Sequence, residues 1–284
     1  MIGEAYYLES VCNSCKRELN KLIGLKEVKE IVNKLINYLL FIKETKEVLN
    51  VDSLNLNMIF KGNPGTGKTT VARIIANLLY GLGFVKNNKV LEVTPNDFIA
   101  GYIGQTGIKT QEVIKKARGG VIFIDEAYSF SPEDPDLKTY ADDAIVEILK
   151  EMESKKTVFI FAGYTNEMEN FIKLNPGLKS RIGYDIEFSD YTVDELSIML
   201  FYKLKKSGFK LSRSAAEELK KIIENKKKIK NFGNGRMIAN LYNQLIFEHA
   251  SNIIDLNNKE EAISIRKKSV LNIKQSIERR GILE

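Results

Sequence analysis

Residues 62–69 read Gly-Asn-Pro-Gly-Thr-Gly-Lys-Thr, directly after the apolar run Leu56-Asn57-Met58-Ile59-Phe60 and directly before a helical pattern that opens at Lys68. A strand that must turn into a helix through a glycine-rich loop fixes a strand–loop–helix unit at the carboxyl edge of a sheet. Glycines let successive backbone N–H groups turn inward, and the following helix contributes its positive end, so the loop suits a phosphate. The stretch fits G-x-x-x-x-G-K-[ST] at every position. Asn63, Pro64, Gly65, Thr66 and Gly67 would form the cradle, with Thr70 in the first helical turn. Lys68 would reach the β- and γ-phosphates of a nucleoside triphosphate, and the Thr69 hydroxyl would ligate Mg²⁺.

Around this loop, short apolar runs alternate with helical patterns. Strands are predicted at Leu56–Phe60, Val90–Val93, Val121–Ile124, Val158–Phe161 and Asp185–Phe188. Helices are predicted over residues 25–50, 68–80, 112–117, 140–152 and 167–173. Continuous apolar strands separated by helices indicate an α/β fold with a mostly parallel five-stranded sheet covered on both faces. From Thr192 onward only helical patterns remain, over residues 193–206, 215–225, 237–251 and a tail to Arg280. The expected organisation is an amino-terminal helical extension over 1–21, an α/β domain over 22–190 and a small all-α lid with a carboxyl-terminal helix over 191–284.

A second chemical element is Val121-Ile122-Phe123-Ile124-Asp125-Glu126. Four apolar residues make a buried strand and two carboxylates emerge at its carboxyl end, where parallel sheets bind ligands. Asp125 would support Mg²⁺ beside Thr69, and Glu126 would orient and deprotonate an attacking water. Together they read as the Walker A and Walker B elements of an engine that hydrolyses a nucleoside triphosphate, the two adjacent acids distinguishing it from switch-type GTPases.

Charge bears on partners. The chain has 284 residues and a formal net charge of +6. Residues 203–230 hold eleven basic and three acidic side chains, so the excess sits in one segment that reads first as a solvated helix face. It lacks interleaved aromatics beyond Phe209, which argues against nucleic acid. Thirty-four lysines against nine arginines make each arginine notable, Arg181 and Arg236 above all. The amino terminus lacks a signal-like apolar stretch and no run is long enough to span a bilayer, so a cytoplasmic protein without membrane insertion is expected. Cys12 and Cys15 form a C-x-x-C pair, but His249 is the sole histidine, and incidental thiols are expected rather than a zinc or redox site.

The combination of Leu22-Ile23-Gly24-Leu25, Gly101-Tyr102-Ile103-Gly104-Gln105-Thr106, Phe123-Ile124-Asp125-Glu126-Ala127-Tyr128, Ala162-Gly163-Tyr164 and Asn175-Pro176-Gly177-Leu178-Lys179-Ser180-Arg181 resembles the AAA+ ATPases of the CbxX/CfqX type. That group includes stage V sporulation protein K and the red-type rubisco activases. The resemblance, from about Leu22 to about Ala250, implies ATP and Mg²⁺ as ligands and a ring, usually a homo-hexamer, with ATP between subunits. It further implies that Ile23 and Gly24 flank adenine and that Arg181 is an arginine finger reaching a neighbour's γ-phosphate. Arg236 would be the lid arginine, and Tyr102 a pore-loop aromatic gripping a client polypeptide. Asn166 is taken as the polar sensor after the fourth strand, with Tyr164 and Thr165 as competitors, because the spacing departs from that of most AAA+ proteins. The function implied is ATP-driven protein remodelling, chaperone-like and of the sporulation or rubisco-activase kind. A nucleic-acid motor or loader, or a nucleotide-gated assembly scaffold, are the alternatives.

Overall fold

Strand β1 (Met58–Gly62) lies inside a parallel sheet, between β4 (Val158–Gly163) and β5 (Tyr184–Phe188). The computed structural model describes residues 2–45, 54–101, 104–131, 135–229, 232–251, 253 and 259–279. The chain divides into two compact units, Met1–Asn63 with Gly67–Ser189 and Pro64–Thr66 with Asp190–Glu284.

In the first unit α1 (Ile2–Lys21) and α2 (Lys26–Thr45) precede β1, and α3 (Lys68–Gly81) follows the loop. Then come β2 (Val90–Val93), α4 (Pro95–Phe98), α5 (Thr106–Ala117), β3 (Val121–Ile124), a 3₁₀ turn (Ala127–Phe130) and α6 (Pro135–Ser154). After β4, α7 (Thr165–Leu174) and α8 (Pro176–Lys179) lead into β5. The strand order is β2-β3-β4-β1-β5, all parallel, so each connection crosses over through helices. Every residue of β3 and β4 is buried, as strands covered on both faces must be. A chain of rings, Phe98–Phe130–Phe171–Phe161–Phe159, with centroids 5.6 to 6.4 Å apart, fills the core beneath these strands.

The expected elements are present with shifted ends. β1 starts at Met58 rather than Leu56 because Asn57, 7 % exposed, uses its polar atoms as a junction. Its Oδ1 accepts from Phe159 N–H at 2.9 Å, its Nδ2 donates to Arg181 O at 3.1 Å, and its carbonyl accepts from Gly183 N–H at 2.9 Å. α5 begins at Thr106 rather than Glu112, and α4 before it is set by a Thr94–Asp97 capping box that periodicity does not reveal. α2 ends at Thr45, and residues 46–50 of the expected helix lie outside the described residues.

The second unit holds α9 (Val193–Lys206), α10 (Arg213–Lys227), α11 (Asn234–Ser251), α12 (Lys259–Ile263) and α13 (Lys267–Arg279). It is not purely helical: β6 (Lys210–Leu211) pairs in parallel with β7 (Ser264–Ile265), two residues each, too short for any alternation to show. α10 buries Ala215, Leu219, Ile222 and Ile223 on one stripe and turns Arg213, Lys220 and Lys221 outward, so this basic face is solvated. Lys220 pairs with Asp194 at 2.7 Å and Lys221 with Glu218 at 3.0 Å. His249 is buried, with Nε2 2.9 Å from Ala262 O and Nδ1 3.1 Å from Ser269 Oγ. A carbonyl only accepts, so Nε2 is the donor in the contact with Ala262. No helix among the described residues is long and apolar enough to cross a membrane.

Asn57→Ala should lower unfolding stability by about 2–4 kcal/mol, because Phe159 N–H then loses its buried acceptor. An unchanged urea midpoint would show that Asn57 is dispensable.

Candidate nucleotide-binding site

β1 ends at Gly62, beside Phe188 of β5, and α3 starts six residues later. The N-cap of α3 is Gly67, in the left-handed region at φ 98°, without a side-chain cap and without an acidic residue in the first turn. The positive end of α3 is therefore left for an external anion. Lys68 is 9 % exposed, and its Nζ donates to Gly62 O at 2.6 Å and Asn63 O at 2.9 Å. Thr69 is half-buried and Thr70 exposed in the same first turn.

Pro64, Gly65 and Thr66 belong to the second unit, and there Gly65 is indispensable. It sits at φ 73°, and a Cβ on it would fall 2.3 Å from Gly233 O and 2.9 Å from Arg236 N. Arg236, third residue of α11, thus has its backbone against the loop while its side chain is exposed.

Asp125 follows β3 and continues its ladder, its N–H donating to Val93 O at 2.8 Å. Its Oδ1 accepts the Glu126 N–H at 3.1 Å. Glu126 adopts φ 54°, a left-handed backbone, and is exposed. Ile124 is level with Phe161 in β4, which is level with Ile59 in β1, so Asp125 and Gly62 both emerge at the carboxyl edge.

Tyr128 had no role assigned from sequence, although it ends the Asp-Glu-Ala-Tyr run. Its ring lies 5.8 Å from that of Tyr164. Gly163 makes room for it, since a Cβ there would fall 2.7 Å from Tyr128 Cδ1 and from Met168 Sδ. Burial first, then the Glu126 charge, pushes the Tyr128 phenol up to about 12, so it remains a proton donor beside the acidic pair. Tyr164, the N-cap of α7, is the sensor candidate packed towards this group, whereas Asn166 is an exposed residue of the first turn of α7.

The other expected residues sit as follows. Ile23 and Gly24 lie between α1 and α2, where Gly24 (φ 65°) and Leu25 (φ 56°) are both left-handed. Glu27, just inside α2, reaches Ser189, the residue after β5, at 3.5 Å, which places this segment at the carboxyl edge too. Arg181 is at the other edge. Its carbonyl is held by Asn57 before β1, its Nη1 donates to Gly177 O at 2.8 Å, and its Nη2 pairs with Glu153. It lines a cavity of about 340 Å³ with Asn55, Met152 and Thr157. Tyr102 lies outside the described residues; Gly101 and Gly104 beside it face open space. The base of this loop is tied down, with Ala100 N–H donating to Thr106 Oγ1 at 3.2 Å and Lys109 Nζ to Ile99 O at 2.6 Å.

Cys12 and Cys15 are buried, unbridged residues of α1. Burial raises both thiols, Cys15 to about 11, and so disfavours the thiolate. Among the described residues no group of three or more His, Cys, Asp or Glu could hold a metal.

A phosphate-loop NTPase of the α/β type, with a lysine in the loop and an Asp–Glu pair two strands away, is the class this arrangement defines. Residues 58–190 match the ATPase family associated with various cellular activities, AAA, and residues 192–276 match the AAA lid domain. The chain is 37 % identical over 272 residues to a CfxQ homolog of Galdieria sulphuraria, covering 93 % of this chain and 88 % of that one. It is 34 % identical over 250 residues to stage V sporulation protein K of Bacillus subtilis, covering 86 % and 77 %. Identity to the chloroplastic ribulose bisphosphate carboxylase/oxygenase activase of Cyanidioschyzon merolae is 36 % over 250 residues, covering 87 % and 84 %. The Thermotoga maritima RuvB Holliday junction branch migration motor superposes with a TM-score of 0.60 at 21 % identity, covering 91 % and 71 %, a likeness of fold. The chain belongs to the AAA ATPase family, in the branch of the CfxQ proteins, and is an ATPase.

Native protein at pH 8 should leave both thiols unreactive to Ellman's reagent over about an hour, with two thiols released in urea. Rapid native labelling would contradict the burial of Cys12 and Cys15. Gly163→Ala should cost about 1–3 kcal/mol by displacing Tyr128 and Met168, measured as a lower urea midpoint.

Proposed function

We propose that the chain is a ring-forming protein remodeller, a homo-hexamer in which ATP binds at the phosphate loop and is completed by the neighbouring subunit's Arg181. The observation that carries this reading is the placement of Arg181. Asn57, which holds its carbonyl, and Gly62, where the loop starts, are separated by the whole of β1. At the strand rise this is about 17 Å, so the guanidinium and its own chain's loop lie at opposite edges of the sheet. An arginine so placed serves a site on another copy.

Within each site Lys68 binds the β- and γ-phosphates on the N–H cradle of residues 63–67, and Ile23 and Gly24 flank the base. The donor set fits Mg²⁺: a Thr69 hydroxyl and an Asp125 carboxylate are hard oxygen ligands, and so few protein ligands suit an ion that takes the rest from phosphate and water. Bound there, the ion would neutralise charge developing on the phosphates. Glu126 accepts a proton from the attacking water while the neighbour's Arg181 stabilises charge on the γ-phosphate. Arg236 senses the γ-phosphate from the lid, and Tyr164 or Asn166 senses it from the end of β4. Phosphate release moves the loop bearing Tyr102, which pulls a client chain through a central pore. The tied base at Ala100, Thr106 and Lys109 supports such a transmission. Relatives named for sporulation and for rubisco activation support a protein client. The solvated, ion-paired face of α10 gives no support to a nucleic-acid motor.

Glu126→Gln should bind ATP, lose phosphate release by about 10³-fold and retain its client in a pull-down. Normal turnover in that variant would remove Glu126 as the base. Arg181→Ala should bind nucleotide yet hydrolyse it about 10³-fold more slowly. Mixing Arg181→Ala with Glu126→Gln subunits should recover activity, because mixed interfaces pair an intact base with an intact finger. A mixture no faster than its components would rule out the trans role.

A further inference from the structure

Three consecutive carbonyls of the phosphate loop accept hydrogen bonds inside the second unit, where residues 64–66 pack with residues 190–284. Asn234 Nδ2 donates to Pro64 O at 3.4 Å, Gly235 N–H to Gly65 O at 3.0 Å, and Tyr191 Oη to Thr66 O at 3.0 Å. Asn234 is itself locked. It is fully buried, its Nδ2 also donates to Asp190 Oδ1 at 2.7 Å, and its Oδ1 accepts the Tyr191 N–H at 3.0 Å. It adopts φ 47°, a left-handed backbone that asparagine tolerates better than most residues. Tyr191 is 5 % exposed, and burial pushes its phenol up to about 12, so it donates throughout the neutral range.

In a trans peptide the carbonyl of one residue and the N–H of the next point in opposite directions. Fixing the carbonyls of Pro64, Gly65 and Thr66 therefore fixes the N–H groups of Gly65, Thr66 and Gly67 on the other side of the loop. Those are donors that a phosphate would meet. We propose that Tyr191 and Asn234 are positioning residues for nucleotide binding: without touching the nucleotide, they hold the loop with its N–H donors already turned towards the phosphates. Such preorganisation raises affinity by removing the cost of ordering the loop on binding. The inference rests on the loop being the phosphate site, which Lys68→Ala tests separately.

The test measures ADP and AMP affinity of the full chain by competition with a fluorescent ADP analogue, together with the thermal midpoint without nucleotide. Tyr191→Phe removes one hydroxyl and should weaken ADP about five- to tenfold while AMP, which lacks a β-phosphate, changes less than about twofold. Asn234→Gly keeps access to the left-handed backbone but deletes the amide, and should do the same. Lys68→Ala should lose ADP binding; if it binds ADP like the parent, the phosphate-loop reading fails, independently of Tyr191. With Lys68→Ala behaving as expected, the positioning role is overturned if both variants keep ADP affinity within about twofold, whether or not the thermal midpoint falls. Equal weakening of ADP and AMP overturns it too, since that marks general damage rather than a turned loop.

Discussion

The parallel pairing of β1 with β4 on one side and β5 on the other is the constraint on which the rest depends. It puts the carboxyl ends of all strands on one edge, so Gly62 and Asp125 emerge together although 63 positions separate them in the chain. The same pairing sends the segment before β5 to the opposite edge, where Asn57 binds Arg181 O and Phe159 N–H at once. One buried amide thereby locks the entry of β1, the second residue of β4 and the approach to β5. The phosphate loop and the arginine are held apart by the length of a strand.

Much of this was legible in the sequence because the signals are local. An apolar strand ending in a glycine-rich loop, and an apolar strand ending in two carboxylates, each announce themselves within a few residues. β2 and β3 fall where their apolar runs stand, and α9 spans its expected range. The misses are equally physical. Asn57 sits in an apolar run and reads as strand, yet its partners Phe159 and Arg181 are 102 and 124 positions away. β6 and β7 comprise two residues each and leave no periodic trace. α5 starts early because Thr106, buried and accepting from Ala100 N–H, anchors a first turn that otherwise contains Gly107.

Site residues divide the same way. Lys68, Thr69, Asp125 and Glu126 are proposed from motif and edge position, whereas Tyr128 and Tyr191 stand out only through contacts with residues distant in the chain. Tyr128 requires Gly163, a residue whose missing side chain admits the ring, so two motifs that look separate in the chain are one packed unit. The C-x-x-C pair shows the converse. Its spacing suits chemistry, but burial in α1 raises both thiols and leaves them as small apolar side chains.

The loop itself stores conformations that cost energy in isolation. Gly65 at φ 73° and Gly67 at φ 98° are both left-handed. Glycine relieves the steric part of that cost but adds entropy to the unfolded loop, so the geometry has to be held from outside. Hydrogen bonds to the carbonyls of Pro64, Gly65 and Thr66 do this, and each is a neutral bond to a backbone carbonyl, insensitive to salt and to pH near neutrality. Charged side chains could fix the loop as firmly, but their fields would compete with Lys68 for the phosphates. On the proposed reading, neutral groups hold the loop's carbonyls without placing a competing charge on them.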